Sequence, residues 1–242
     1  MNSPVPEPIP PCPNCAKPVA MCICDRVEPA DTRLRIVILQ HPQENDAVLG
    51  TAGLVTLTLP KAEVRVGLSW ASLDHAVGLT EANRERWAVL AGVKLGVAIP
   101  EEARKQPVIV IDRKGRMRDL RRHGLDGIIV LDGTWSQAKT LWWRNAWLLK
   151  LPRIVLKPRE PSMYGKLRNE PRRDYVSTLE AIADTLPALG ESEQLRTSLR
   201  RLLRTLLQRA RDAGQPLTTD DISTMRPFLA RNMPWAARLV TR

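Results

Sequence analysis

Two sets of side chains in this sequence have the types and spacing that chemistry needs. The first is Cys12-x2-Cys15-x6-Cys22-x-Cys24, which gathers all four cysteines of the chain within thirteen residues. In a reducing compartment such clustering more often serves a metal than disulfides, and four thiolates match the donor set of a closed tetrahedral zinc site. The final Cys-x-Cys is tighter than the usual Cys-x2-Cys, so a disulfide or redox pair stands as the alternative. The second set is Asp132-Gly133-Thr134-Trp135, which offers a carboxylate able to take a proton, a hydroxyl and an indole side by side.

The elements that must position the second set are legible around it. Ile128, Ile129, Val130 and Leu131 follow Gly127 as a short apolar run, three of them β-branched, and read as a strand buried on both faces of a parallel sheet. Asp132 and Gly133 then make a tight turn. Thr134 as N-cap with Gln137 at the third helical position forms a capping box, and Ala138, Leu141, Trp142 and Ala146 keep helical spacing. In an open α/β sheet, ligands bind beyond the carboxyl ends of the strands, which is where Asp132 falls. The same residues also fit a purely structural reading, with Asp132 and Thr134 satisfying the helix start and Trp135 in the core.

Residues 34–39 predict a second strand, with His41-Pro42-Gln43-Glu44 just past its carboxyl end. His41 there either lines a cleft or is a satisfied structural histidine. Further along, the pattern predicts a helix from Asn45 over 45–59, ended by Pro60, and a strand over 64–68. A helix over 81–95 follows, carrying Arg84, Arg86 and Lys94 on a solvated face, and then strands over 108–111 and 153–156. After the last strand a proline-rich basic loop holds Arg159, Lys166, Arg168, Arg172 and Arg173, with Tyr164 among them. Mixed cations and an aromatic suit phosphate contacts and base stacking in RNA, and a solvated loop is the plain alternative. Ser177-Thr178-Leu179-Glu180 is a second capping box. Over 192–211 the leucines at 195, 199, 202, 203, 206 and 207 form one stripe, and Arg196, Arg200, Arg201, Arg204 and Arg211 lie largely opposite. Thr219 or Asp220 can cap a last helix, interrupted by Pro227, with Trp235 docking the tail.

The whole chain of 242 residues carries 37 Lys and Arg against 26 Asp and Glu, a net charge of +11, and a pI near 10.1. A polyanionic partner follows, and nucleic acid is favoured over membrane because no apolar run approaches the roughly 20 residues that a spanning helix needs. The amino terminus lacks the basic start and apolar stretch of a signal peptide, so a cytoplasmic protein is expected. Five prolines in residues 1–11 predict an extended or disordered lead. There is no Walker loop, no G-x-G-x-x-G and no nucleophilic serine elbow. The expected fold class is α/β, a mainly parallel sheet with flanking helices, preceded by a small four-cysteine zinc segment.

Asp-Gly-Thr-Trp at 132–135, followed by Ser-Gln-Ala-Lys and a basic, tryptophan-bearing helix, resembles the signature of the DTW-domain family of tRNA-uridine aminocarboxypropyltransferases. Three further blocks in matching order carry the resemblance: the cysteine cluster, Leu39-Gln40-His41-Pro42-Gln43-Glu44, and the stretch from Pro161 through Ser162, Tyr164, Arg168 and Pro171 to Ser177-Thr178-Leu179-Glu180-Ala181. Together they cover roughly residues 12 to 190. The resemblance implies a SPOUT-like fold with a trefoil knot, and division into a lead at 1–11, a zinc segment at 12–30 and a transferase domain at 31–242. It also implies that S-adenosylmethionine donates its 3-amino-3-carboxypropyl group to N3 of a uridine in tRNA, releasing methylthioadenosine.

On this reading Asp132 takes the N3 proton, and Leu131, Gly133, Thr134, Trp135, His41 and Thr178 line the donor site. Cys12, Cys15, Cys22 and Cys24 hold a structural zinc ion, while Arg159, Tyr164, Lys166, Arg168, Arg172 and Arg173 face the RNA. An aromatic–proline pair common in the family is replaced here by Ile111-Asp112, so no donor contact is carried over to that loop. Methyl transfer from the same donor, and a non-catalytic zinc-containing RNA-binding module, are the alternatives.

Overall fold

A computed structural model describes residues 11–44, 48–90, 101, 106–119, 124–164 and 176–213. Its centre is a six-stranded sheet. The strands are β1 (Arg35–Gln40), β2 (Ala62–Val66), β3 (Trp87–Leu90), β4 (Val108–Ile111), β5 (Gly127–Asp132) and β6 (Arg153–Leu156), in the order β2-β1-β5-β3-β6-β4. All neighbours run parallel except β4, which closes the edge antiparallel to β6. Every residue of β3 and β5 is buried, as a parallel strand covered on both faces requires.

The period of two along each strand sorts the core into two layers. Ile36, Ile38, Ala88, Leu90, Ile128 and Val130 face α1 (Ala52–Thr58), α4 (Thr178–Thr185) and α5 (Glu193–Asp212). Val37, Leu39, Trp87, Val89, Ile129 and Leu131 face α2 (Leu73–Val77), α3 (Trp135–Arg144) and the short turn of helix Ala146–Lys150. The leucine stripe of α5 is buried as its spacing predicts, with Leu199, Leu203 and Leu206 fully enclosed. Its basic face is largely spoken for within the chain. Arg196 and Arg200 pair with Asp184 of α4 at 2.8 and 3.0 Å, and Arg201 and Arg209 reach Glu28 and Asp25 of the cysteine segment at 2.6 and 2.7 Å.

Several expected elements are corrected. The helix expected over 81–95 is absent from the described residues of that stretch: Arg84–Arg86 is a single turn, and Trp87–Leu90 is an inner strand between β5 and β6. A short continuous apolar run does not tell strand from helix by periodicity. Here Trp87 pairs with Gly127 in the β3–β5 ladder, and an added Cβ there would come within 2.5 Å of the indole, so the strand needs glycine opposite its first residue. The helix expected from Asn45 begins only at Ala52, with residues 48–51 outside it, and β2 lies two residues earlier than expected. The lead at 1–10, Asn45, residues 91–95, and the last helix with Pro227 and Trp235 lie outside the described residues. Among the described residues no helix is long and apolar enough to cross a membrane.

Candidate active site

The connection leaving β1 runs to β2 on one side, and the connection leaving β5 runs past β3 to β6 on the other. Adjacent parallel strands whose connections diverge leave a crevice at their carboxyl ends, the place where open α/β sheets bind ligands. Gln40 and Asp132 are the last residues of β1 and β5 and stand directly opposite one another. Both have even parity on their strands, so their side chains turn to the α4 face. There the Gln40 amide Nε2 donates to Asp132 Oδ2 at 2.6 Å, and the Thr178 hydroxyl donates to Asp132 Oδ1.

Asp132 is only 7% exposed, and two of the roughly four acceptor positions of its carboxylate are taken by these fixed donors. Among the described residues no other side chain donates to it, which leaves positions to accept a proton or an N–H from a bound group. Thr178 opens α4 and Thr134 caps α3, so two helix N-termini converge on the crevice, a setting suited to an anionic ligand group.

The turn that delivers Asp132 depends on Gly133. Its φ of +145° suits glycine, and an added Cβ would meet the Gln137 side chain at 2.8 and 2.9 Å. Both halves of the capping box form: the Thr134 backbone N–H donates to Gln137 Oε1 at 2.6 Å, and the Gln137 N–H donates to Thr134 Oγ1 at 3.4 Å. Thr134 itself is exposed, Leu131 is packed against α3, and Trp135 is about half exposed with the Lys139 ammonium 5.3 Å from its ring. His41 is buried, its backbone N–H donates to the Asp132 carbonyl at 3.1 Å, and its Nδ1 accepts from the Gln43 N–H at 3.1 Å. Burial, reinforced by the Arg144 charge, pushes the His41 pKa below its ordinary value.

The second capping box also forms, and Glu180 does more than close it. Its carboxylate accepts from the Ser177 N–H and hydroxyl, from the Ser162 hydroxyl at 2.9 Å and from the Met163 N–H at 2.8 Å. This clasp ties the first part of the connection after β6 to the start of α4, whose Thr178 bonds Asp132. Tyr164 is part of it: fully buried, its hydroxyl donates to the Leu49 carbonyl at 2.6 Å. The expectation that Tyr164 stacks on RNA is therefore corrected, because its ring belongs to the core. Arg159 is exposed, and Lys166, Arg168, Arg172 and Arg173 lie outside the described residues. Gln40 was not among the expected site residues; its signal was its place as the last residue of a strand beside His41.

At the amino terminus the four cysteine sulfurs lie within 4.8 Å of one another, with Cys12–Cys24 at 3.7 Å and Cys15–Cys22 at 3.8 Å. Zinc–sulfur bonds of about 2.3 Å put tetrahedral corners about 3.8 Å apart, whereas a disulfide needs about 2.05 Å. The four cysteines are free thiols, and the donor set fits a tetrahedral metal. Backbone amides of Cys15 and Asn14 hold the Cys12 thiol down to about 6, while burial and the neighbouring thiols push Cys24 up. Met21 and Ile23 are fully buried in the same cluster as the α5 leucines, so the segment is seated in the main core.

A cavity of about 640 Å³ opens at the opposite, amino end of the strands, between Arg33, Arg35, Lys61, Glu63, Arg86 and Asp126. Its cations are engaged by carbonyls and carboxylates, for example Arg33 by Leu125 and Arg86 by Asp126, so the convergence of reactive groups lies at the other end.

Residues 9–211 match the DTW domain. A protein named tRNA-uridine aminocarboxypropyltransferase 2 from Mus musculus is 30% identical over 208 residues, 81% of this chain and 62% of that protein. Its namesakes are 28% identical over 207 residues in Macaca fascicularis, with the same coverage, and 29% identical over 205 residues in Drosophila melanogaster, covering 84% and 76%. The chain thus spans about three-fifths of the length of the two mammalian relatives. No solved structure matches it. With the motif at the switch point of the sheet and the domain matched over most of its length, the chain belongs to the DTW-domain family.

Proposed function

We propose that this protein transfers the 3-amino-3-carboxypropyl group of S-adenosylmethionine to N3 of a uridine in tRNA, releasing methylthioadenosine. One observation carries the reading: the crevice between β1 and β5 gathers Asp132, Gln40 and Thr178 at the motif by which the chain joins its family. The relatives' name and the net charge of +11 support tRNA as the substrate.

S-adenosylmethionine supplies, when bound, an electrophilic carbon with a thioether leaving group. What the chain must add is position and a proton acceptor. Gln40 and Thr178 clamp both oxygens of Asp132, so the carboxylate presents its free lone pairs in one direction and takes the N3 proton as the new bond forms. Because the Thr178 hydroxyl hydrogen is used on Asp132, its part in the donor site is to orient that carboxylate. The helix N-termini behind Thr134 and Thr178 suit the donor's carboxylate, and Trp135 and Gly133 line the approach. His41 supports the site through its backbone bond to Asp132. The four cysteines hold a structural zinc ion. The SPOUT-like fold with a trefoil knot rests on the family, and the sheet supports its mainly parallel α/β class.

The test is mass spectrometry of the products formed from S-adenosylmethionine and unmodified tRNA. Methylthioadenosine with a matching mass gain on uridine is expected. S-adenosylhomocysteine would instead mean methyl transfer, and no product with no donor binding would overturn the enzyme reading.

A further inference from the structure

We propose that the exposed face of α3 is the surface that receives unpaired bases of the tRNA next to the target uridine, with Trp143 as the stacking platform and Lys139, Arg144 and Lys150 on the flanking phosphates. This rests on the reading of tRNA as substrate and adds to it the surface that grips the RNA.

Trp143 is 67% exposed and Trp135 45%. A tryptophan offers some 150–250 Å² of ring surface, and leaving two such surfaces in water on one ten-residue helix calls for an explanation. The neighbouring Trp142 has a structural one. It is buried, and the Arg153 guanidinium sits 5.6 Å from its ring. Trp143 has no such role. Positions 135, 139 and 143 recur every four residues, so Trp135, Lys139 and Trp143 run along one side of the helix. At 1.5 Å per residue, Trp143 lies about 12 Å along the axis from Trp135. The stripe therefore starts three residues after Asp132 in the chain and runs along α3, on the sheet face opposite α4.

Charge identifies the occupant. Residues 135–151 contain no Asp or Glu, yet carry Lys139, Arg144 and Lys150. Arg196, Arg200, Arg201 and Arg209 of α5 are paired with Asp184, Glu28 and Asp25, whereas Arg144 and Lys150 have no acidic partner among the described residues. Aromatic platforms interleaved with unpaired cations suit single-stranded nucleic acid, whose bases stack while its phosphates meet the charges. Protein interfaces by contrast are depleted of lysine. With Tyr164 in the core, Trp143 and Trp135 are the exposed aromatics among the described residues.

The test is fluorescence anisotropy with labelled tRNA and a labelled fully paired RNA, on wild type, Trp143→Ala, Trp143→Phe and Arg144→Ala. Loss of one base stack weakens tRNA binding roughly tenfold in Trp143→Ala, with the paired RNA and donor affinity unchanged and Trp143→Phe recovering most of the loss. Arg144→Ala weakens both RNAs and lowers the salt slope by about one. Unchanged tRNA affinity in Trp143→Ala, in a wild type that binds tRNA, overturns the stacking surface alone. A wild type that binds no tRNA overturns it together with the substrate reading. A Trp143→Ala protein that loses self-association in sedimentation, or loses vesicle binding, while keeping its tRNA affinity assigns the face to another partner and overturns the inference.

Discussion

Replacing Asp132 by asparagine separates its proposed proton-accepting role from its structural one. Asparagine has nearly the same shape, and the network can re-form around it. Its Oδ1 accepts from Gln40 Nε2 while its Nδ2 donates to the Thr178 oxygen, whose hydroxyl rotates to accept. What is lost is charge assistance. Hydrogen bonds to charged groups contribute about 1.5–3 kcal/mol and neutral ones about 0.5–1.5, so two bonds weakened by about 1 kcal/mol each cost roughly 2 kcal/mol. In a domain of this size that lowers Tm by about 4–8 °C. Turnover should fall much further, by about 10²–10⁴-fold, because the amide cannot take the N3 proton. The assay is methylthioadenosine release under single turnover with saturating tRNA, alongside thermal unfolding and tRNA affinity. Asp132→Ala serves as the contrast, since it leaves the Gln40 and Thr178 donors facing a void and should be less stable than the asparagine variant. A Asp132→Asn protein that unfolds near the expected temperature and turns over within threefold of wild type would refute the proton-acceptor role.

Gly133→Ala should cost about 1–3 kcal/mol in backbone strain and about 1 kcal/mol more from the displaced capping box, and disable turnover, as read by calorimetry and product release. Metal analysis should find one zinc per chain, and Cys24→Ser or a strong chelator should lower Tm by several degrees, because Met21 and Ile23 lose their anchor. The lowered His41 pKa means that the unfolded chain binds this proton more readily than the folded one. Its contribution to stability is therefore full above the ordinary value of 6.5 and declines as pH falls through the folded value; His41→Gln should flatten denaturant midpoints below pH 6.5.

Where sequence patterns are local, they read the structure closely. The strand at 153–156, the turn at Asp132-Gly133 and both capping boxes depend on neighbours within four residues, and all are found where the spacing puts them. Trp87–Leu90 was lost to a helix because its identity as a strand depends on Gly127, forty residues on, which gives the indole room. Tyr164 has the look of a stacking residue among cations, and only the fold brings the Leu49 carbonyl, 115 residues away, to its hydroxyl. Gln40 sat in a noticed stretch, yet its partner, Asp132, is 92 residues away, and the sheet register alone joins them. The candidate site was thus legible by its motif, and its clamp was not.

The seating of the cysteine segment on α5 has a consequence for synthesis. Asp25 and Arg209 are separated by 184 residues, so the segment leaves the ribosome long before its helical partner exists. At about 5–20 residues per second the delay is roughly 10–40 s, during which Met21 and Ile23 lack the leucine surface that buries them. A cation gathered by four cysteines needs no distant partner. It can fold the nascent amino-terminal segment into its final loop and keep its apolar residues from wrong company until α5 arrives.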